Sequence, residues 1–238
     1  MRSVKAVFKK QVKDIKENIT VLIQFIIFPA IAWFMTKFVA SADDFGGPDT
    51  MFVTMFAAIF VGMALIPTVA GIVAEDRERR SLRFLVMAGV KPQAYLLGIG
   101  GVIFFVSLLP AFAFTWLGGF AGEEFWLFMA AMMSGVIAST LLGLTIGILA
   151  KNQQAATSLS MPAALVFGFG PLIAMFNERI GELFRFFYTQ QLDVVMSGLM
   201  GSYDTGVSLQ QSFATIWANV AVLAALFVVA FGKKGLKA

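Results

Sequence analysis

The chain has 238 residues, of which 59% are hydrophobic and only 13% charged, with a formal net charge of +4. Soluble domains are nearer a quarter charged, so this composition describes a polytopic membrane protein. It holds neither Cys nor His, which removes disulfides, thiolate chemistry, the commonest metal ligand and the commonest general base.

The first segment, residues 1–19, reads as a basic amphipathic helix. Val4, Phe8, Val12, Ile15 and Ile19 fall within about 80° of one face at 100° per residue. Lys5, Lys9, Lys13 and Lys16 lie on its flank and back. Such a helix is expected in the membrane interface, against anionic lipid headgroups. Six segments then have the roughly 20 mostly apolar residues that a helical span needs: 20–39, 51–74, 94–118, 125–150, 155–176 and 211–231. The first is expected to be a span and not a cleavable secretory signal, because it is too long and no small-residue cleavage site follows it. No polar stretch is long enough to bury a core of its own, so 1–238 is expected to be a single transmembrane domain.

Charge sets the orientation. Of the 18 basic residues all but Lys37, Arg179 and Arg185 fall at one end of the predicted spans. Lys and Arg are retained in the cytoplasm, so both termini are expected inside, in a bacterial plasma membrane. The basic balance is thereby explained by topology, and no nucleic-acid partner is expected.

Several features inside the spans follow from residue type. Pro29, Pro67, Pro110, Pro162 and Pro171 each remove a helical hydrogen bond. FGFGP at 167–171 adds two Gly to a Pro, so span 5 is expected to break or flex in its outer half. In span 4, Gly135, Ser139, Gly143 and Gly147 recur every fourth residue, a small-residue stripe that lets helices approach closely in lipid. Between spans 5 and 6, residues 177–210 are rich in aromatics, and QLDVVMSGLM at 191–200 is apolar but too short to cross. A re-entrant or surface-lying helical pair is expected there.

The densest charge lies in EDRERRSLRFLVMAGVKP after span 2, with seven charges from Glu75 to Arg83. Glu75–Arg79 and Asp76–Arg80 have the acid-before-base, four-residue spacing that supports a helix. Phe84 to Met87 are apolar, and Gly89 and Pro92 end the element. A loop that only fixed topology would need neither the acids nor the apolar half. A docking helix for a soluble partner over 75–92 accounts for both.

Absent chemistry narrows the function. No ionisable side chain lies in the middle of a predicted span, whereas proton-coupled carriers usually carry carboxylates there. No H-E-x-x-H, Ser–His pair or G-x-x-x-x-G-K-[ST] is present, so neither hydrolysis nor ATP binding through a P-loop is expected of this chain. If it performs work, the energy comes from another subunit.

An acidic-basic run directly after span 2, then a small or hydroxyl residue, Leu and an apolar stretch closed by Gly and Pro, resembles the membrane subunits of ABC-2 type transporters. Ser81–Leu82 stand where that family usually has Gly-Thr. MRSVKAVFKKQVKDIKENITVLIQFIIFPAIA, MPAALVFGFGP and FNERI also look like the family, so the resemblance spans essentially the whole chain. It implies an all-α membrane fold of six transmembrane helices with an N-terminal interfacial helix, a coupling helix between helices 2 and 3, and external re-entrant helices between helices 5 and 6. It implies a non-enzymatic permease subunit paired with a second permease, identical or not, and with two copies of an ABC ATPase subunit. ATP and Mg would sit on those partners, with no cofactor or metal on this chain. Glu75, Asp76, Arg77, Glu78, Arg79, Arg80, Ser81, Leu82, Arg83 and Phe84 would form the ATPase contact. Spans 2 and 5 would line the path, with Phe56, Phe60, Phe167 and Phe169 as lining candidates for a hydrophobic or amphiphilic cargo such as an antimicrobial peptide, drug or lipid. The alternatives are an ATP-independent channel or carrier, and a membrane sensor or assembly protein docking a cytoplasmic partner through 75–92.

Overall fold

A computed structural model describes residues 2–40, 50–78, 87, 92–199 and 207–234. Among the described residues the chain is helical and without strands. Helix α1 (Arg2–Glu17) precedes α2 (Ile19–Ala40), whose last turn is π-helical, and α3 (Met51–Glu78), which carries a π-helical turn at Phe60–Ala64. Then come α4 (Pro92–Leu117), α5 (Gly122–Leu149) and α6 (Gln153–Phe176). The short helices α7 (Glu178–Phe184) and α8 (Tyr188–Leu199) lead to α9 (Leu209–Lys234). Six of these, α2 to α6 and α9, are long and apolar enough to cross a membrane.

The bundle is built around α3 and α5. In their most apolar stretches 72% and 67% of residues are buried, against 22% for α2, 28% for α6 and 22% for α9. The small-residue stripe explains the central pairing. A Cβ on Gly143 would stand 2.7 Å from Val69 Cβ, and one on Gly147 2.7 Å from Val73 Cβ. Gly135 meets Val61 and Leu192 in the same way, and Ser139 donates to the Val61 carbonyl at 2.6 Å. Each member of the series therefore faces α3.

Helix α6 runs unbroken from Gln153 to Phe176 through both Pro162 and Pro171, so the expected break at 167–171 is not there. The glycines serve close approach instead. Any Cβ on Gly62 would stand 2.6 Å from the Phe167 carbonyl oxygen, and one on Gly168 2.8 Å from Met63 Cβ. Pro171 lacks the N–H that would bond the Phe167 carbonyl. The freed oxygen thus lies where the π-helical turn of α3 presses bare backbone against α6.

The amphipathic helix is turned from its expected face. Val7, Gln11 and Ile15 are buried, Phe8 and Val12 are half-buried, and Ile19 is exposed at the start of α2. Helix α1 packs on α4, where Val7 occupies the space beside Gly98 and Phe8 meets the Phe105 ring edge-on at 5.9 Å. Part of its apolar seam therefore faces protein.

Helices α7 and α8 do not lie across the ends of the spans. They form a hairpin that folds back among α3, α5, α6 and α9. Phe184 packs over Gly170, Tyr188 stacks on Phe167 with centroids 5.0 Å apart, and the Tyr188 hydroxyl bonds Ser139 Oγ at 2.8 Å. The Asn219 amide donates to the Phe186 carbonyl at 2.8 Å, which ties the tip of the hairpin to α9.

Candidate functional site

Among the described residues, the stretch of α3 that leads up to Glu78 carries a connected set of polar contacts. Sequence reading ends span 2 at residue 74 and starts a separate charged helix at 75. The helix instead continues without interruption to Glu78, so Glu75, Asp76, Arg77 and Glu78 belong to the span that precedes the loop.

Asp76 is 7% exposed. Its Oδ1 accepts from Lys10 Nζ at 2.7 Å, and its Oδ2 from Gln11 Nε2 at 3.0 Å and Tyr95 Oη at 2.6 Å. One carboxylate therefore joins α1, α3 and α4. Gln11 and Tyr95 are themselves buried, at 2% and 1% exposure, and a buried donor without an acceptor is costly. Lys10 also pairs with Asp14 at 3.1 Å. Burial acts to lower the Lys10 pKa, but the bonds and charges of Asp76 and Asp14 outweigh it and hold the ammonium above its ordinary value.

The next two residues fasten the same turn to the other side of the bundle. Arg77 Nη1 donates to the carbonyls of Ile148 at 2.6 Å and Ala150 at 2.8 Å. These are terminal carbonyls of α5, where a cation also suits the helix dipole. The Glu78 carboxylate accepts from the Gln153 amide at 3.1 Å, at the start of α6. Asn152 caps that helix by accepting from the Ala155 amide at 2.8 Å. Three consecutive residues thus bond α3 to α1, α4, α5 and α6 at the end of the bundle that carries most of the basic residues. The chain then enters residues 79–86, so Arg79, Arg80, Ser81, Leu82, Arg83 and Phe84 lie outside the described residues.

This geometry adds internal contacts to the first part of the motif. Asp76 is buried with three partners inside the chain and Arg77 bonds α5, whereas Glu75 is half-buried and Glu78 exposed. The path candidates divide as well. Phe60 is fully buried in this structure, with its ring against Phe25 and Phe28 of α2 and Phe114 of α4. Phe167 supports the hairpin through Tyr188 and Phe187. Phe56 and Phe169 are half-buried. Ser139, read only as a small packing residue, also holds the hairpin tip. Asp193, read as part of an external segment, is buried on α8 against Thr54 of α3.

Six apolar helices, a permease-like charged turn and an inserted hairpin are an arrangement with a family attached. The sequence matches the family described as ABC-2 family transporter protein over residues 41–232. The chain belongs to that family. It is therefore a multi-pass membrane permease of the ABC-2 type, a membrane component that works with an ABC ATPase and is not itself the catalyst. The match begins at residue 41, so α1 and α2 stand outside it, although Lys10 and Gln11 of α1 complete the Asp76 site. No curated protein matches the chain significantly.

Proposed function

We propose that this ABC-2 permease exports a hydrophobic or amphiphilic substrate, driven by ATP that a separate subunit hydrolyses. Two copies of that subunit would bind ATP and Mg and act on a pair of permease chains. Both termini and the loop after α3 would be cytoplasmic, in a plasma membrane, as the distribution of Lys and Arg favours. Residues 75–92, with Glu75 to Phe84 and above all Arg79, Arg80 and Arg83, would receive the ATPase.

The observation that carries this reading is the fastening of the turn from which the loop emerges. Force applied to a flexible end would be lost in fraying of the last helical turn. Here the residues before the loop are bonded to four other helices, so displacement of the loop would move α3 together with its neighbours. A lipophilic cargo accords with a chain holding 26 Phe and 13 Met.

The test is co-expression and reconstitution with a P-loop ATPase subunit. Charge reversal at Arg79, Arg80 and Arg83 should abolish co-purification and transport-linked ATP turnover. Unchanged association and turnover would remove the docking role.

A further inference from the structure

Arg185 is read from sequence as an external charge, yet the hairpin carries it deep among the spans. Neighbours of the tip report its depth independently. Phe167 lies nine residues from the end of α6 at Phe176, and Asn219 ten residues from the start of α9 at Leu209. Val61, bonded through Ser139 to Tyr188, lies ten residues from the start of α3 at Met51. At 1.5 Å per residue these levels are about 14–15 Å below the helix ends. The flanking contact of Phe184 with Gly170 is six residues, or about 9 Å, down. Arg185 stands between Phe184 and Phe186, so its backbone is about 9–15 Å below the helix ends, at a level that spans of this length place inside a hydrocarbon core about 30 Å thick.

At that depth the side chain is exposed, and its guanidinium lies 4.7 Å from the centroid of the Phe186 ring. It makes no ion pair among the described residues. Asp193, the buried acid of the same hairpin, is engaged with Thr54. A cation with no ion pair among the described residues is expensive at that depth against lipid tails, and such residues face water-filled cavities or substrate paths. The backbone around it is held in place: Gln191 Nε2 donates to the Arg185 carbonyl at 2.6 Å and Asn219 to that of Phe186. The backbone at Arg185 and Phe186 is therefore held at this level by α8 and α9.

We propose that Arg185 faces an aqueous translocation path and recognises an anionic group, a phosphate or carboxylate, on an amphiphilic substrate. A guanidinium offers paired donors to such oxygens, while the exposed Phe186 beside it offers an apolar surface to the attached tail. This deepens the export reading and rests on it for the direction of transport. The presence of water and anion at Arg185 is a separate matter that needs no ATPase.

The chain has no native Cys, so a single reporter thiol can be introduced without background. In proteoliposomes of neutral lipid, the Phe186→Cys variant should react with a water-soluble uncharged maleimide at least about tenfold faster than the Leu109→Cys variant. Leu109 is 70% exposed on α4 at a similar depth. Dodecyl phosphate should slow the reaction several-fold and dodecanol should not. Protection should vanish in the Arg185→Gln background and persist in Arg185→Lys, which also controls for folding. Protection that instead requires added phosphatidylglycerol would assign the anion to bilayer lipid, with the same recognition chemistry. Labelling no faster than at Leu109, or equal protection by dodecanol, would overturn the proposal while leaving the ATPase-linked reading to its own test.

Discussion

Replacing Asp76 with Ala should release α1 from the bundle without unfolding the span core. The carboxylate accepts hydrogen bonds from Lys10, Gln11 and Tyr95. Lys10 is about a third exposed at its side chain and retains Asp14 as a partner, so its loss contributes little. The Gln11 amide and the Tyr95 hydroxyl remain buried without an acceptor, and each such group costs about 1–3 kcal/mol. Partial rearrangement of Gln11 towards water reduces the sum, which leaves about 2–3 kcal/mol for the junction. At 1.4 kcal/mol per tenfold, that corresponds to roughly 30- to 140-fold faster local opening. Amide hydrogen exchange in nanodiscs reads this directly. Protection should fall by that factor over residues 8–17 and stay unchanged over 132–144 in α5. Asp76→Asn should lie between the variant and the native chain, because one amide oxygen cannot serve Lys10 on one side and Gln11 with Tyr95 on the other. Undiminished protection of α1 in Asp76→Ala would refute the reasoning. So would a loss spread equally into α5, since that would mean global destabilisation.

Three further outcomes are expected. Gly143→Ala should lower the thermal midpoint in detergent, because even one methyl meets Val69 and the Ile66 carbonyl of α3 at 2.7–2.8 Å. An overpacking cost of about 1–3 kcal/mol applies, and Gly71→Ala, with nothing within 4 Å, is the control that should be neutral. Ser139→Ala should loosen the hairpin more than Tyr188→Phe does. The first strands a fully buried hydroxyl at about 1–3 kcal/mol, whereas the second removes one hydrogen bond at about 1 kcal/mol; exchange over 188–199 distinguishes them. The Lys10 ammonium is held above its ordinary value of 10.5, so its contribution is complete below that pH and is lost only as pH climbs through the higher folded value. Spin-label distances between α1 and α3 should stay constant from about pH 6 to 9, and separation within that window would show that Lys10 is not held as described.

The six spans, their lengths and their alternation were legible in the sequence, because hydropathy summed over a window needs no knowledge of neighbours. The stripe from Gly135 to Gly147 was legible as a packing face for the same reason: helical periodicity places those residues together wherever the partner lies. Its partner was not legible, since any apolar span would satisfy the pattern. The close approach at 167–171 was not legible either, because the backbone around Phe167 can meet the bare backbone at Gly62 only if two helices distant in sequence cross there.

Charge divided in the same way. The sequence by itself determined which end of the bundle is basic and where the densest charges lie, since those are properties of residues counted along the chain. Tertiary structure decided what each charge does. Asp76 became an internal clasp because Lys10 and Gln11, more than sixty positions earlier, and Tyr95 converge on it. Phe60 became core because α2 and α4 close over it. Arg185 came to stand among the spans because the α7–α8 hairpin folds back between them. Depth, burial and partnership depend on contacts between elements far apart in sequence. Local pattern carries no information on them, and only the packed bundle supplies it.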